Sequence, residues 1–292
     1  MSDLLSRFGL YGTGVVIVVG LAIATHQMEA DADVNTLLSS ADVQLRMAYV
    51  IPEVDKAGVP LDSRKTMILA AEEHLKTVER LQPGMACTAE FRGFARMLQG
   101  DYQGAAGFYA SARQARDCTA DQSDVLAFNQ ARMLAKAGRG EEALQVFAKY
   151  ATSLDARFGQ QRQIEEAQIL FQLGRGDRAR QQLAEVLGRV DLEPMAGLQA
   201  AQILEESGNL VEAERAYAQQ QQEIPAAVLG LARLKLRASE VDTALALLER
   251  AVAAAPAEVA RLIHQDAKTW DPVRADARFL RIVEGRSATP GR

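Results

Sequence analysis

Three histidines, two cysteines and several acidic pairs are the residues of this chain whose types are suited to chemistry. His26, His74 and His264 are far apart, and none has an acid–base partner at a spacing that would bring the two together. Cys87 and Cys118 have no histidine or further cysteine near them in sequence, which argues against zinc. The pairs Glu72/Glu73, Glu141/Glu142, Glu165/Glu166 and Glu205/Glu206 are adjacent, so on a helix their carboxylates diverge. They read as solvated faces. Gly138, Arg139 and Gly140, like Gly174, Arg175 and Gly176, look like fragments of phosphate loops. No strand precedes them and no Lys-Ser/Thr follows, so they read as turns between helices. No nucleophile elbow, HExxH or kinase signature is present. The expectation is a protein without catalytic residues, metal or cofactor.

The elements around these residues follow a repeat. Gly100/Ala105/Tyr109, Gly138/Ala143/Phe147, Gly174/Ala179/Leu183, Gly208/Ala213/Tyr217 and Ser239/Ala244/Leu248 share one spacing, and successive anchors are 38, 36, 34 and 31 residues apart. That is the register of a two-helix repeat. Small residues let two helices cross closely, and the large residue four positions later fills the groove beyond. Glycine at the anchor permits the positive φ that ends a first helix. Pro225 and Pro256 follow Gly208 and Ser239 by 17 residues, where a helix must stop before the next repeat.

Composition agrees with a mainly helical chain and excludes one class of partner. Of 292 residues only 5% are aromatic, and the net charge is −5. Lys and Arg are scattered in runs of at most two, so the basic face needed to displace counterions from nucleic acid is absent.

Residues 8–25 carry no charge, and 15–24 are apolar throughout. Eighteen residues reach ~27 Å as a helix, just enough to cross a hydrocarbon core. Arg7 precedes this segment and Glu29, Asp31 and Asp33 follow it, which places the N-terminus in the cytoplasm and the rest outside. Gly9, Gly12, Gly14 and Gly20 suit packing of a membrane span more than a soluble helix. The alternative is a cleaved signal peptide, since Ala22, Ile23 and Ala24 have the form of a cleavage site. Both readings export the remainder.

The chain then divides as follows: a stub at 1–7, the span at 8–25, an acidic spacer at 26–34, a degenerate capping repeat at 35–84, five repeats over 86–256, capping helices at 257–284 and a flexible tail at 285–292. Within the first cap, Leu38, Ala41, Leu45 and Ala48 are spaced for one helical face, and Ala71, Leu75 and Val78 for a second. Trp270 and Phe279 are placed to cover the apolar end of the fifth repeat. Cys87 opens the first helix of the first full repeat and Cys118 follows its second. Both therefore fall at the open end of one hairpin, where a disulfide would close a loop worth about 3–4 kcal/mol in an oxidising compartment. Two unrelated buried thiols are the alternative.

These positions resemble the tetratricopeptide repeat: Gly93, Ala105, Tyr109 and Ala112 in the first repeat, Ala201, Ala213, Tyr217 and Pro225 in the fourth, and Ala232, Ala244, Leu248, Ala251 and Pro256 in the fifth. The resemblance implies an all-α solenoid of antiparallel helix pairs, here preceded by one transmembrane helix. It also implies a concave face lined by the first helix of each pair. Projected onto this chain, that face carries Glu90, Phe94, Met97, Phe128, Arg132, Lys136, Ile164, Gln168, Phe171, Leu198, Gln202, Leu229, Arg233 and Arg237. Asn129 stands where peptide-gripping members of the family place an asparagine that binds ligand backbone. The function so implied is a membrane-tethered scaffold, anchored in the inner membrane with its array on the periplasmic side, binding a polypeptide and no small-molecule substrate. The alternative is a permanent subunit of a larger membrane complex.

Overall fold

The structure, a computed structural model, describes residues 34–51, 62–222 and 224–284. The expected span at 8–25 with its four glycines, the stub, the spacer up to Asp33 and the tail at 285–292 lie outside the described residues. Among the described residues there is no strand, and no helix is long and apolar enough to cross a membrane.

Two units make up the chain, divided after Met133. The first contains α1 (Val34–Val50), α2 (Asp62–Leu81), α3 (Ala86–Leu98), α4 (Tyr102–Gln114) and most of α5 (Ala120–Lys136). The second contains α6 (Gly140–Lys149), α7 (Ala151–Gln172), α8 (Gly176–Leu187), α9 (Pro194–Glu206), α10 (Leu210–Gln220), α11 (Pro225–Arg237), α12 (Val241–Ala254) and α13 (Pro256–Gln265). A 3₁₀ segment, Ala267–Val273, and α14 (Ala277–Glu284) complete it. Sequential helices pair as the tetratricopeptide resemblance implies: α1 with α2, α3 with α4, α7 with α8, α9 with α10, and α11 with α12.

Five helices, α3, α5, α7, α9 and α11, end in the same turn. Gly100, Gly138, Gly174 and Gly208 have φ of 77°, 78°, 74° and 79°, and Ser239 has φ of 63°. In all five the amide after the anchor donates to a carbonyl five residues back, as from Asp101 to Arg96 and from Asn209 to Leu204, while the anchor amide donates three back. This is a Schellman ending, which satisfies carbonyls that the helix end leaves open. Ser239 adopts it without glycine's freedom and bears the strain of a left-handed L-residue. Pro194, Pro225 and Pro256 each open a helix, α9, α11 and α13. At that first position the missing N–H costs no hydrogen bond. The two prolines expected to stop one helix therefore act by starting the next.

The small and large positions behave as close-packing requires. Ala105, Ala143, Ala179, Ala213 and Ala244 are wholly buried, and so are Phe147, Leu183, Tyr217 and Leu248, with Tyr109 4% exposed. A Cβ on Gly93 would sit 2.8 Å from the Tyr109 ring, and one on Gly230 would sit 2.5 Å from the Tyr217 ring. These glycines are absences of volume, and each lets an aromatic ring slide under the facing helix. Burying each such ring or Leu side chain contributes about 1.5–3 kcal/mol.

In the first unit, Ala41, Leu45 and Ala48 of α1 and Ala71, Leu75 and Val78 of α2 are fully buried. Leu37 rather than Leu38 takes the first core place, with Leu38 packed at the margin. At the other end of the chain, Trp270 and Phe279 stack at 6.0 Å and join Val228, Leu229, Leu248 and Val259 in one core. They cover the last helix pair as the sequence suggests.

Two expectations are corrected. Cys87 and Cys118 are free thiols. What ties that end of the α3–α4 hairpin is a hydrogen bond from the Ala86 amide to Asp117 Oδ1 at 2.9 Å. Asp117 thus satisfies one of the open amides of α3, while Cys118 Sγ turns to the Thr119 carbonyl at 3.5 Å. Second, Glu166 is not on a solvated face. α7 breaks at Phe158 (φ −131°, ψ 22°), and buried Arg162 bridges Asp155 before the break to Glu166 after it. Gln182 of α8 donates to the other oxygen of Glu166 at 2.7 Å. The clamp fixes a kink that pure helical periodicity does not reveal.

Candidate functional site

In the second unit, three helices end side by side: α9, α11 and α13. The last turns of α9 and α11 carry Gln202, Glu205, Glu206, Arg233 and Arg237, and Asp266 caps α13. Together they line a cavity of about 430 Å³.

Glu205 organises it. The residue is only 6% exposed, and its carboxylate is satisfied on both oxygens. Oε2 accepts from Tyr217 Oη at 2.6 Å and from Arg233 Nη2 at 2.6 Å. Oε1 pairs with Arg237 Nη2 at 3.2 Å. Arg233 Nη2 also lies 3.2 Å from Tyr217 Oη, so one nitrogen reaches both members of the buried pair. A buried carboxylate is tolerated only with partners of this quality.

The backbone prepares the arrangement. Gly230 stands one turn before Arg233 on α11, and its bare Cα lets the Tyr217 ring pass beneath that helix to reach Glu205. Burial first, then the hydrogen bond and charge of Glu205, push the Tyr217 phenol well above its ordinary range. The hydroxyl therefore stays a donor at any physiological pH. Burial opposes the charge on Arg233, but the hydrogen bond and charge of Glu205 outweigh it and raise its pKa.

At the rim, Arg237 is 47% exposed and Asp266 is 43% exposed, with Asp266 Oδ2 3.9 Å from Arg233 Nε. Thr269 Oγ1 donates to Asp266 Oδ1 at 2.8 Å. Glu206 is exposed, and Gln202 is half-buried beside it. The lining holds two guanidiniums against three carboxylates, one negative charge net.

Of the residues singled out in sequence, Gln202, Arg233 and Arg237 meet in this cavity. Gln168 and Phe171 lie half-buried on α7, Phe171 against the core of the second unit, and Lys136 is exposed in the last turn of α5. In the first unit, Phe94 and Met97 pack half-buried on the core, and Phe94 faces Tyr49 at 6.0 Å. Asn129 is half-buried on α5. Phe128 is a core residue, 7% exposed, with the Arg132 guanidinium 5.9 Å from its ring centroid. Ile164, Leu198 and Leu229 are likewise core, exposed by 2%, 5% and 2%. Their positions face the neighbouring helices, which a projection by repeat number does not resolve.

Sequence reasoning missed Glu205. It occupies a position that the repeat register assigns to the lining face, but its neighbour Glu206 makes the pair read as solvated. The usable signal is the pairing of that position with Tyr217 and Arg233. Among the described residues no group of three or more His, Cys, Asp or Glu is arranged to hold a metal.

Elsewhere, Tyr109 is pushed up to about 12 by burial and by the charge of Glu90, against the pull of Arg132. Burial, followed by the charge of Asp117, raises the Cys87 thiol. Burial is also the largest cause raising Cys118, with Arg113 opposing it.

No protein-family model matches the chain, and no curated protein matches it. Among solved structures, it is similar to a tetratricopeptide repeat protein from Parabacteroides merdae, at 18% identity over 84% of this chain and 98% of the other, with a TM-score of 0.45. It is also similar to NprR, solved in complex with its cognate peptide NprX, at 15% identity over 92% of this chain and 83% of the other, with a TM-score of 0.44.

Proposed function

We propose that the chain is a non-catalytic, membrane-tethered scaffold whose helical array binds a polypeptide partner on the extracytoplasmic side. The observation that carries the binding part is the cavity organised by Glu205. A buried carboxylate is spent on orienting two arginines at a concave, polar surface, an arrangement suited to recognition. The tether rests on the uncharged segment 8–25, and the sidedness on Arg7 before it and the acidic residues after it. Holding the array at the membrane raises its effective concentration toward other envelope components. Two measurements test this. Protease added outside intact spheroplasts must degrade the helical array; protection from it would contradict the topology. A photo-crosslinker at Gln202 must capture a polypeptide in intact membranes.

A second reading, a permanent subunit of a membrane complex, is favoured by one observation in the first unit. Tyr49 is 63% exposed, Val50 76% and Val43 45%, all on α1. Apolar surface of this kind commonly marks a standing interface. Sizing after mild detergent extraction separates the two: a fixed stoichiometric assembly supports the subunit, and exchangeable partners support the scaffold.

A further inference from the structure

We propose that the cavity between the ends of α9, α11 and α13 takes a polypeptide segment in which a carboxylate side chain stands beside a basic one. This rests on the reading that the array binds a polypeptide, and it names the chemistry of that partner.

Charge complementarity carries the inference. Glu205 and Arg233 are buried against one another and cancel. The charges left to meet a partner are Arg237, Glu206 and Asp266, one positive and two negative, arranged around a single cavity. Arg237 commits Nη2 to Glu205, and the planar fork of a guanidinium offers further N–H groups to a second carboxylate. Asp266 Oδ1 is used by Thr269, while its Oδ2 lies 3.9 Å from Arg233 Nε, the charged neighbour it has among the described residues. Glu206 and Asp266 therefore suit an ammonium or guanidinium. Three helices also end here, and the C-terminal ends of their dipoles add negative potential on that side. A purely acidic segment meets a lining that is net negative, and a purely basic one meets Arg237. A mixed pair satisfies both. Gln202, with an amide that both donates and accepts, is placed to hold the segment's main chain.

The test uses the full-length chain and fluorescein-labelled synthetic peptides on one Gly/Ser backbone, carrying an adjacent Lys and Glu, Glu alone or Lys alone. Anisotropy titrations are expected to show the mixed peptide binding at least about tenfold tighter than either other. That advantage shrinks as salt rises. Arg237→Glu, read at a temperature where the thermal melt shows the variant folded, abolishes the advantage and makes the Lys-only peptide the tightest of the three. A change of preference is something a merely structural role would not produce. Equal binding of all three peptides, tightest wild-type binding of a single-sign peptide, no binding of any, or an unchanged preference in Arg237→Glu each overturns the inference. If the peptides fail while a crosslinker at Gln202 still captures a chain in membranes, the inference falls and the proposed function stands. If capture fails as well, both fall.

Discussion

Tyr217 and Glu205, on the two helices of one pair, meet at 2.6 Å in the interior, and their contact holds Arg233 of the next pair at the same distance from the same oxygen. A position that repeat arithmetic assigns to packing thus also supports the lining of a cavity. The ring of Tyr217 fills the groove, and its hydroxyl orients the charge. Tyr217→Phe keeps the ring and removes one of the donors. We expect it to destabilise the protein by about 1–3 kcal/mol through the under-satisfied carboxylate. Arg233→Ala is expected to cost more, about 3–5 kcal/mol, because it strips the buried charge of its counterion. Urea denaturation of the two variants and of the double variant measures both, and additive losses would contradict a shared network.

The close approaches at glycine make a second prediction. Gly93→Ala places a methyl group 2.8 Å from the Tyr109 ring, and we expect a loss of about 1–3 kcal/mol from overpacking. Shortening the ring in Gly93→Ala/Tyr109→Leu is expected to recover part of it. If the single variant melts with the wild type, the packing account of this position is wrong.

The turns supply a third. Ser239 is the non-glycine residue among the described ones with positive φ. Ser239→Gly is expected to stabilise by about 0.5–1 kcal/mol, the relief of left-handed strain less the added freedom of the unfolded chain. Gly208→Ala, whose new methyl would meet nothing within 4 Å, is expected to destabilise by about 1 kcal/mol through the backbone alone. Thermal melts of the pair should move in opposite directions.

A fourth concerns pH. Burial holds Tyr109 at about 12, above the ordinary phenol value of 10.0, so the folded state keeps a proton that the unfolded state gives up first. Stability from this group is fully present below pH 10 and declines as pH rises through 12. Tyr109→Phe should flatten the alkaline limb of the denaturation curve. The thiols follow the same sense: raised values keep Cys87 and Cys118 protonated at neutral pH. Both should alkylate slowly at pH 7 in the native state without prior reduction, and faster as pH rises. A requirement for reductant would restore the disulfide.

How far the chain can be read before its structure is known differs by feature. The helix pairs were legible because Gly100, Gly138, Gly174, Gly208 and Ser239 announce a backbone conformation, and conformation at a turn is a local property. The alanine and aromatic positions were legible for a similar reason: their spacing is set within one hairpin. Glu205 was not, since its burial depends on Tyr217 from the partner helix and Arg233 from the following pair. Neither is near it in sequence. The kink at Phe158 escaped for a different reason: its clamp, Arg162 reaching to Asp155 and Glu166, is local, but helical periodicity does not register a break within a helix. Phe128 was misplaced because an aromatic at a lining position can turn inward, and periodicity does not register which way it turns. Cys87 and Cys118 were correctly brought to one end of a hairpin, but the tie there is made by Ala86 and Asp117.

The central claim is that the cavity beside Glu205 is where a polypeptide partner is held. The most direct measurement places a photo-crosslinking amino acid at Gln202 and, separately, at exposed Val211 on α10, in the full chain within intact membranes. The account predicts that Gln202 yields a discrete cross-linked polypeptide, identified by mass, and that Arg237→Glu diminishes it while Val211 yields none. Equal capture at both positions, or none at Gln202, would contradict it.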